Sequence, residues 1–411
     1  MGIVAGTGQY VSDRFSNWRR KLTDEEIRSS IQTTFSILDA SVQEVHWCGN
    51  GSILVHTQDG DLHTEVHENN TTHLRSIKSD LVQAGKRDYA QTNFHVTKLI
   101  HWENQKDLVM ILTNTTVSFL TSNCGRFYKA ITFKSPPSVV LPHPTKNQII
   151  LAMIPSADGD LSAVLSKDLG ETWHQVSDGI HEVSWIYSWK LHQTSHLNPD
   201  RLMFVKRMQG KSLPIHSYSI YYTEDFFSST NLLLEAGTTF AFTQHFIYAA
   251  KVEDINRKEV GLYVAPVDAH RYNLKRVKLP FELLKEHAYT VLEPVGKHVF
   301  IHVTHSIDEI STGHLYVSDS TGSKFELTVK NNIRTAQGYC DFNKVQGMEG
   351  VYIANVYTEN SLARAKTAIK QAKSIQEKAQ ILAHTLKKKS LVTYDFGRTW
   401  RSMHIDSSNS E

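Results

Sequence analysis

A pattern of eight residues occurs twice in this chain of 411 residues, and it constrains the fold more than any other feature. Residues 166–173 read SKDLGETW, and residues 393–400 read TYDFGRTW. In a tight turn an Asp side chain can accept hydrogen bonds from backbone N–H groups of its own loop, and Gly can adopt a positive φ. The pattern therefore predicts a repeated hairpin turn.

The residues of both copies are expected to have structural roles. The final Trp of each copy leads into the next strand and is expected to be buried between neighbouring sheets. A carboxylate that is committed to its own turn is a poor acid–base catalyst, because that chemistry requires groups with separated pKa values that converge on one substrate. We therefore predict no catalytic residues here. The structural residues are Ser166, Asp168, Gly170, Thr172 and Trp173 in the first copy, and Thr393, Asp395, Gly397, Thr399 and Trp400 in the second.

Short runs that resemble β-strands fill most of the chain. HVTKLIHW, DLVMILTN and GVYIANVY are examples, rich in β-branched and aromatic residues and separated by turn residues. Looser copies of the pattern start at positions 64, 121, 223, 265 and 318, and the starts lie 42 to 57 residues apart, except for a last interval of 75. One hairpin turn per four-stranded blade gives this spacing. The sequence thus predicts an all-β fold, a β-propeller of about seven blades.

Composition excludes several classes of protein. Lys and Arg total 44 against 42 Asp and Glu, so no bias toward nucleic acid is visible. The three cysteines Cys48, Cys124 and Cys340 fit no zinc or CxxC spacing, and the histidines form no HExxH motif, so no metal or cofactor is expected. Whether the cysteines are buried thiols, or one disulfide and a leftover thiol, stays open. No apolar run approaches the roughly 18 residues of a membrane helix, and the first residues show no signal peptide.

N-x-S/T sequons occur at four asparagines. In a secreted protein each would mark an exposed loop that is a candidate for glycosylation. The four are Asn50, Asn69, Asn70 and Asn114.

The C-terminal third carries a specific resemblance. LYVSDSTGSKFELTVKN from residue 315 is followed by DFNKVQGMEGVYIANVYTEN and then by LVTYDFGRTWRSM. This order resembles the Vps10 domain of the sortilin family, and the repeated pattern resembles the Asp box of sialidases and other BNR-repeat propellers. The resemblance covers residues from about 45 to 402. It implies a ten-bladed propeller in a type I membrane receptor, whose tunnel binds peptide or protein ligands such as propeptides and C-terminal carboxylates.

The resemblance implies that the protein is a sorting receptor and not an enzyme. Its ectodomain would be luminal or extracellular in the Golgi, endosomal and cell-surface system. We divide the chain into an N-terminal segment 1–44 with a possible short helix, an incomplete propeller 45–402 and a tail 403–411. Seven blades in place of ten suggest a fragment or truncated gene model, with a seven-bladed ring as the alternative. His181 lies where the family usually has a cysteine, so that disulfide is expected to be absent.

The resemblance also indicates where ligands would bind. The family holds a ligand carboxylate with a basic residue that precedes a blade strand and projects into the tunnel. The candidates near that place are Arg257, Lys258 and the nearby Tyr248. The alternative is an ordinary exposed basic loop.

An insertion at residues 361–389 lies outside the family pattern. Apolar residues at three- and four-residue steps predict an amphipathic helix, with eight Lys or Arg residues and only Glu377 against them. Such a helix could bind an acidic partner or an anionic membrane surface. A solvated excursion, or an intron translated in error, are the alternatives.

The rival function is an Asp-box glycoside hydrolase. A sialidase would need an arginine cluster for the substrate carboxylate, a Tyr and Glu nucleophile pair and usually an FRIP-like motif, but the sequence contains no R-I-P. A glucanase would need acidic residues that face one another across a cleft, and the sequence leaves this open.

Overall fold

A computed structural model of the chain describes most of its residues. The described ranges are 3–6, 33–36, 38, 40–49, 51–68, 71–85, 94–156, 159–188, 197–208, 218–254, 256, 259–281, 284–285, 289–295, 298–304, 310, 312–334, 339–345, 347–372 and 374–403.

The chain divides into two compact units. The first unit contains residues 1–194, 198–206 and 223–230, and the second contains residues 195–197, 207–222 and 231–411.

The first unit contains three four-stranded antiparallel sheets, in each of which the strands follow chain order. The first sheet consists of β3 (Val42–Trp47), β4 (Ile53–Thr57), β5 (Leu62–Glu68) and β6 (Thr71–Ser76). The second consists of β7 (Val96–Trp102), β8 (Gln105–Thr113), β9 (Val117–Thr121) and β10 (Lys129–Thr132). The third consists of β11 (Val139–Pro142), β12 (Ile150–Pro155), β13 (Leu161–Ser166) and β14 (His174–Trp185).

Further elements complete the first unit. The strands β1 (Ile3–Gly6) and β2 (Thr33–Ser36) pair with each other, and helix α1 (Lys78–Ala84) follows β6. The long strand β14 pairs with β13 up to Ile180 and then with β15 (Leu202–Arg207) from Ile180 onward. It therefore ends one sheet and begins the next.

The second unit repeats this plan. β16 (Tyr218–Thr223) and β17 (Asn231–Glu235) form a hairpin. The next sheet has β18 (Gly237–Phe242), β19 (Phe246–Asp254), β20 (Glu259–Pro266) and β21 (Lys275–Arg276), and β22 (Leu284–Lys285) pairs with β20. It is followed by β23 (Tyr289–Val295), β24 (His298–Val303), β25 (Thr312–Ser318) and β26 (Phe325–Ile333). The last sheet has β27 (Phe342–Lys344), β28 (Tyr352–Tyr357), β29 (Lys388–Thr393) and β30 (Arg401–Ser402).

The core lies between successive sheets. Leu54 and Leu62 of the first sheet share an apolar cluster with Val109 and Phe119 of the second. The same face-to-face packing recurs between the other neighbouring sheets of each unit. Because the middle strands are covered on both faces, they are apolar almost throughout, as in β12, where only Pro155 is exposed. This packing of consecutive four-stranded sheets confirms the predicted all-β propeller fold.

Apart from the β1–β2 pair, the described residues form two four-stranded sheets (β3–β6 and β7–β10), a seven-stranded sheet (β11–β17), a five-stranded sheet (β18–β22) and an eight-stranded sheet (β23–β30), which correspond to seven groups of about four strands. This number agrees with the prediction of about seven blades. The helix predicted near the N-terminus lies outside the described residues.

The prediction of one inserted helix at residues 361–389 was wrong in detail. The insertion consists of two helices, α2 (Glu359–Ile369) and α3 (Ile375–Thr385), with a break between them. Lys388 and Lys389 belong to strand β29. The apolar spacing in the sequence did not reveal the break, because side chains of both helices pack into the same apolar cluster.

Candidate functional site

The first clear copy of the Asp box forms the predicted turn between β13 and β14. Asp168 accepts hydrogen bonds from the backbone N–H of Thr172 at 2.9 Å and from its hydroxyl at 2.6 Å. The hydroxyl of Ser166 donates to Asp168 and accepts from the N–H of Gly170, both at 2.7 Å. Gly170 has a φ of +84°. All of these hydrogen bonds are local to the turn.

The second clear copy, between β29 and β30, has the same geometry. Asp395 accepts hydrogen bonds from the N–H of Thr399 at 2.8 Å and from its hydroxyl at 2.6 Å. The hydroxyl of Thr393 donates to Asp395 at 2.8 Å.

Hydrogen bonds in these turns control the ionisation of the two carboxyl groups. The bonds from Thr172 hold the pKa of Asp168 at about 2, and those from Thr399 hold the pKa of Asp395 at about 2. Both groups are ionised at neutral and endosomal pH. A general acid needs a pKa close to the working pH, so neither carboxyl group is suited to donate protons.

Three of the looser copies also form side-chain clasps. Asn123 accepts from the N–H groups of Arg126 and Phe127, and Asp225 accepts from the N–H and the hydroxyl of Ser229. Asp319 makes a shorter version, in which it accepts from the hydroxyl of Thr321 at 2.8 Å. The copies that start at 64 and 265 are weaker. The turn that follows position 64 includes residues outside the described ranges, and Ala265 lies within β20.

One position of the turn was missed by the sequence reasoning. The residue before the glycine position has a left-handed backbone with φ between +55° and +59°, and it is apolar in four copies. In three of them its N–H donates to a carbonyl of the same sheet, at distances of 2.9 to 3.2 Å. The only sequence signal is this apolar residue, whose identity varies between copies. The four residues are Cys124, Leu169, Phe226 and Phe396.

The glycine of each turn lies against the preceding sheet of its unit. A Cβ atom on Gly170 would lie 2.7 Å from Ile131 of β10, and one on Gly397 would lie 2.7 Å from Phe300 of β24. A Cβ atom on Gly322 would lie 2.7 Å from the hydroxyl of Tyr248. The Asp-box turns therefore link each blade to the one before it.

The two tryptophans add to this link in different ways. Trp173 packs on Phe133 with ring centroids 4.7 Å apart, and its Nε1–H has no hydrogen-bond partner. The Nε1–H of Trp400 donates to the hydroxyl of Thr328 in β26 at 2.8 Å. That hydroxyl in turn donates to the carbonyl of Gly397. Both tryptophans are half-buried.

A disulfide forms a covalent link at the Asp-box turn of the second blade. Cys124 of its Asp-box turn is bonded to Cys48, which follows β3 in the first blade, and their Cα atoms are 6.1 Å apart. The two sulfurs lie close to the carboxylate of Asp107, but thiols joined in a disulfide cannot serve as thiolate metal ligands. Cys340 is not part of a disulfide, and burial raises the pKa of its thiol to about 11.

Of the three predicted peptide-binding residues, only Tyr248 lies among the described residues. Tyr248 is buried in the core between two blades, and its hydroxyl donates to the carbonyl of Gly322 at 2.9 Å. Burial also raises the pKa of Tyr248. The structure therefore does not support a contact between Tyr248 and a ligand, because the side chain closes the Asp-box turn of the next blade. Arg257 and Lys258 lie outside the described residues.

The innermost strands of the first unit present apolar side chains to solvent. In a propeller the first strand of each blade faces the central channel. Val45 and Trp47 on β3 are exposed, Trp47 to 45%, and so is Val139 on β11. On the same strands His46 of β3 and His101 of β7 stack with ring centroids 5.2 Å apart. An exposed Trp on an inner strand can bind an apolar side chain of a ligand.

Of the predicted glycosylation sites, only Asn114 lies among the described residues. It is exposed in the turn between β8 and β9, and its side-chain oxygen accepts from the N–H of His95 at 2.9 Å. His181, at the position where a cysteine was expected from the resemblance, is exposed on β14.

Three helices lie in the described part of the chain, and none of them is long and apolar enough to cross a membrane.

Sheets that pack face to face and are clasped by Asp-box turns define a β-propeller of the Asp-box class. The family model described as Sortilin, neurotensin receptor 3 matches residues 78–411, and the chain therefore belongs to the Sortilin–Vps10 family.

Curated relatives agree with this membership. The chain is 25% identical over 275 residues to the vacuolar protein sorting/targeting protein 10 of Coccidioides posadasii, a match that covers 64% of this chain and 18% of the relative. The protein of the same name from Schizosaccharomyces japonicus is 27% identical over 267 residues, which covers 61% of this chain and 18% of the relative. The match thus spans less than a fifth of the length of these relatives.

Among solved structures, the β-propeller domain of the Trilobed protease from Pyrococcus furiosus aligns with a TM-score of 0.42 and 9% identity, over 90% of this chain and 99% of that one. The GH74 enzyme of Niastella koreensis aligns with a TM-score of 0.42 and 8% identity, over 90% of this chain and 67% of that one.

Proposed function

We propose that this chain is the ligand-binding propeller of a sorting receptor, and that it acts without catalysing a reaction. The observation that carries this proposal is the family match over residues 78–411. The curated relatives are named as vacuolar protein sorting/targeting proteins. The Asp-box carboxylates support a non-catalytic role, since Asp168 and Asp395 are held in the ionised form by their own turns.

The place of action that we propose is the luminal or extracellular side of the Golgi, endosomal and cell-surface system. The Cys48–Cys124 disulfide supports this proposal, since such bonds persist in oxidising compartments and are rare in the cytosol. The exposed sequon at Asn114 is consistent with glycosylation there.

The ligands that we propose are peptide segments of proteins, bound along the inner strands. Arg257 and Lys258 would hold its C-terminal carboxylate, for which the Arg fork is suited because it can bond to both oxygens.

A pair of fluorescent peptides tests this proposal. The two have the same sequence with a C-terminal apolar residue, but one ends in a carboxylate and the other in an amide. We expect saturable binding of the carboxylate form, at least tenfold weaker binding of the amide, and loss of this difference in Arg257→Ala/Lys258→Ala but not in the control Lys275→Ala. Equal binding of both peptides would contradict carboxylate capture. Turnover of a glucan or sialoside by the purified chain would contradict the receptor function.

A further inference from the structure

The segment after β28 is a folded helical hairpin, defined here by the described residues 359–372 and 374–389, which contain α2, α3 and the first two residues of β29. The side chain of Ser374 accepts from the N–H of Glu377 at 3.1 Å and so caps the start of α3. At the end of α2 the N–H groups of Gln371 and Ala372 donate to carbonyls three residues earlier. The end of α2 and the start of α3 are thus each fixed by hydrogen bonds.

Apolar contacts fix this hairpin on the second unit. Leu362, Ala365 and Ile369 of α2 are buried together with Ile310, which belongs to the connection between β24 and β25. Ile381 and Leu382 of α3 pack against the same cluster. The helices therefore hold their side chains in fixed positions relative to the neighbouring blades, which a solvated excursion would not do.

The outer surface of the hairpin is strongly basic. Residues 361–389 contain eight Lys or Arg and one Glu, a formal charge of +7, whereas the whole chain carries +2. The rest of the chain is therefore acidic on balance, and the positive charge is concentrated in one place. Six of the basic side chains among the described residues are exposed: Arg364, Lys366, Lys370, Lys387, Lys388 and Lys389.

Topology determines which end of the sheets carries this charge. In an antiparallel sheet, successive connections alternate between the two ends. The β28–β29 connection therefore lies opposite the Asp-box turn between β29 and β30, at the same end as the β19–β20 and β24–β25 connections of the second unit. The contact of Ile310 with α2 agrees with this placement.

We infer that the exposed basic side chains of the helical hairpin bind an acidic segment of the protein ligand. This inference rests on the proposed receptor function and names a second recognition surface for the same ligands. A cluster of one sign of charge raises the association rate of an oppositely charged partner and favours it over neutral ones.

The apolar content of the hairpin argues against a membrane as the partner. Helices that lie in a membrane interface bury a face with several Trp, Phe or Leu side chains. Here the large exposed apolar side chain among the described hairpin residues is Ile375, which is 86% exposed, and its neighbours on that face of α3 are Ala379 and Ala383. The apolar residues of bulk in this hairpin face the protein instead.

A charge-reversal experiment tests the inference on the full chain. The probe is a fluorescent decamer of glutamate with an amidated C-terminus, which excludes binding through a terminal carboxylate. The variant is Lys370→Glu/Lys387→Glu/Lys389→Glu. The matched control is Lys134→Glu/Lys275→Glu/Lys330→Glu, which makes the same change of net charge at exposed lysines elsewhere.

We expect the hairpin variant to bind the decamer at least tenfold more weakly than the unmodified chain, and the control to differ by less than about threefold. Binding should also weaken as salt is raised. Equal losses in the two variants would show an effect of net charge alone and overturn the inference. Binding to phosphatidylserine vesicles without binding to the decamer would assign a membrane surface instead. An apolar peptide with a free carboxylate should bind the hairpin variant normally, and failure of that peptide on the unmodified chain would count against the receptor function itself.

Discussion

Two consecutive left-handed residues shape each full Asp-box turn, and the second of them lies against the preceding blade. Gly397 has a φ of +82°, and a Cβ atom there would lie 2.7 Å from the ring of Phe300. In the fourth copy Phe227 occupies the glycine position with a φ of +71° and packs on Phe204. Glycine is therefore required by close packing where the preceding blade leaves no space, and not by the turn alone.

Substitution of Gly397 separates packing from backbone strain. We expect Gly397→Ala to lower the free energy of unfolding by about 2–4 kcal/mol, since it adds a steric clash to the strain of a positive φ. Gly159 is a matched control with the same φ of +82° and nothing within 4 Å of its Cβ position. Gly159→Ala should cost only about 1 kcal/mol. Equal costs in chemical denaturation would contradict the packing role.

The ionised Asp-box carboxylates should make the free energy of unfolding depend on pH. Asp168 and Asp395 have folded-state pKa values of about 2, below the usual value near 4 of an unfolded chain. Their stabilising effect is therefore complete above about pH 4 and is lost as the pH falls toward 2. The variant Asp168→Asn/Asp395→Asn should be less stable than the unmodified chain at pH 7, and this difference should disappear by about pH 2. A difference in denaturant midpoint that is constant with pH would contradict this.

At the level of elements, the turns link neighbouring blades. Substitution of the two tryptophans measures how much a hydrogen bond in such a link contributes to stability. Trp400 donates a hydrogen bond to Thr328 of the preceding blade, whereas the Nε1–H of Trp173 has no partner. We expect Trp400→Phe to cost about 1 kcal/mol more than Trp173→Phe, since only the former removes a hydrogen bond. Thermal unfolding of the two single variants compares them, and a larger loss in Trp173→Phe would contradict the assignment.

The disulfide is the covalent form of the same link. It joins residues 76 apart in sequence, and removing it should cost about 2–4 kcal/mol of stability. We expect reducing agent to lower the melting temperature of the unmodified chain but not that of Cys48→Ser/Cys124→Ser. The control Cys340→Ser should keep the sensitivity to reducing agent. Detection of three free thiols in the oxidised, denatured chain would show that the bond does not form.

Sequence patterns predicted the strands and the turns well but not how the turns contact their neighbours. The offsets of Ser166, Asp168 and Thr172 determine local hydrogen bonds, so they could be read directly from the sequence. The partners of Trp400 and Cys124 lie 72 and 76 residues away and depend on how the sheets pack. Periodicity likewise could not place the break between α2 and α3.

For the whole molecule, we propose that stability and ligand recognition depend on different parts of the propeller. The Asp boxes lie at one end of the sheets and join neighbouring blades, while the exposed Trp47 lies on an inner strand and the basic hairpin lies at the other end of its own sheet. Tyr248 illustrates the limit of inference from the sequence. It lies on β19, which precedes the predicted ligand residues, but the strand is buried throughout from Phe246 to Ala250, so alternation in the sequence did not show which way Tyr248 points.

The central claim is that the Asp boxes stabilise the propeller and take no part in recognition or catalysis. The most direct measurement compares Asp168→Ala/Asp395→Ala with the unmodified chain, both for melting temperature and for affinity toward the peptide with a free carboxylate. We predict a melting temperature lower by several degrees and an affinity that is unchanged within about twofold below the transition. A variant that keeps its melting temperature but loses its affinity for the peptide would contradict the claim.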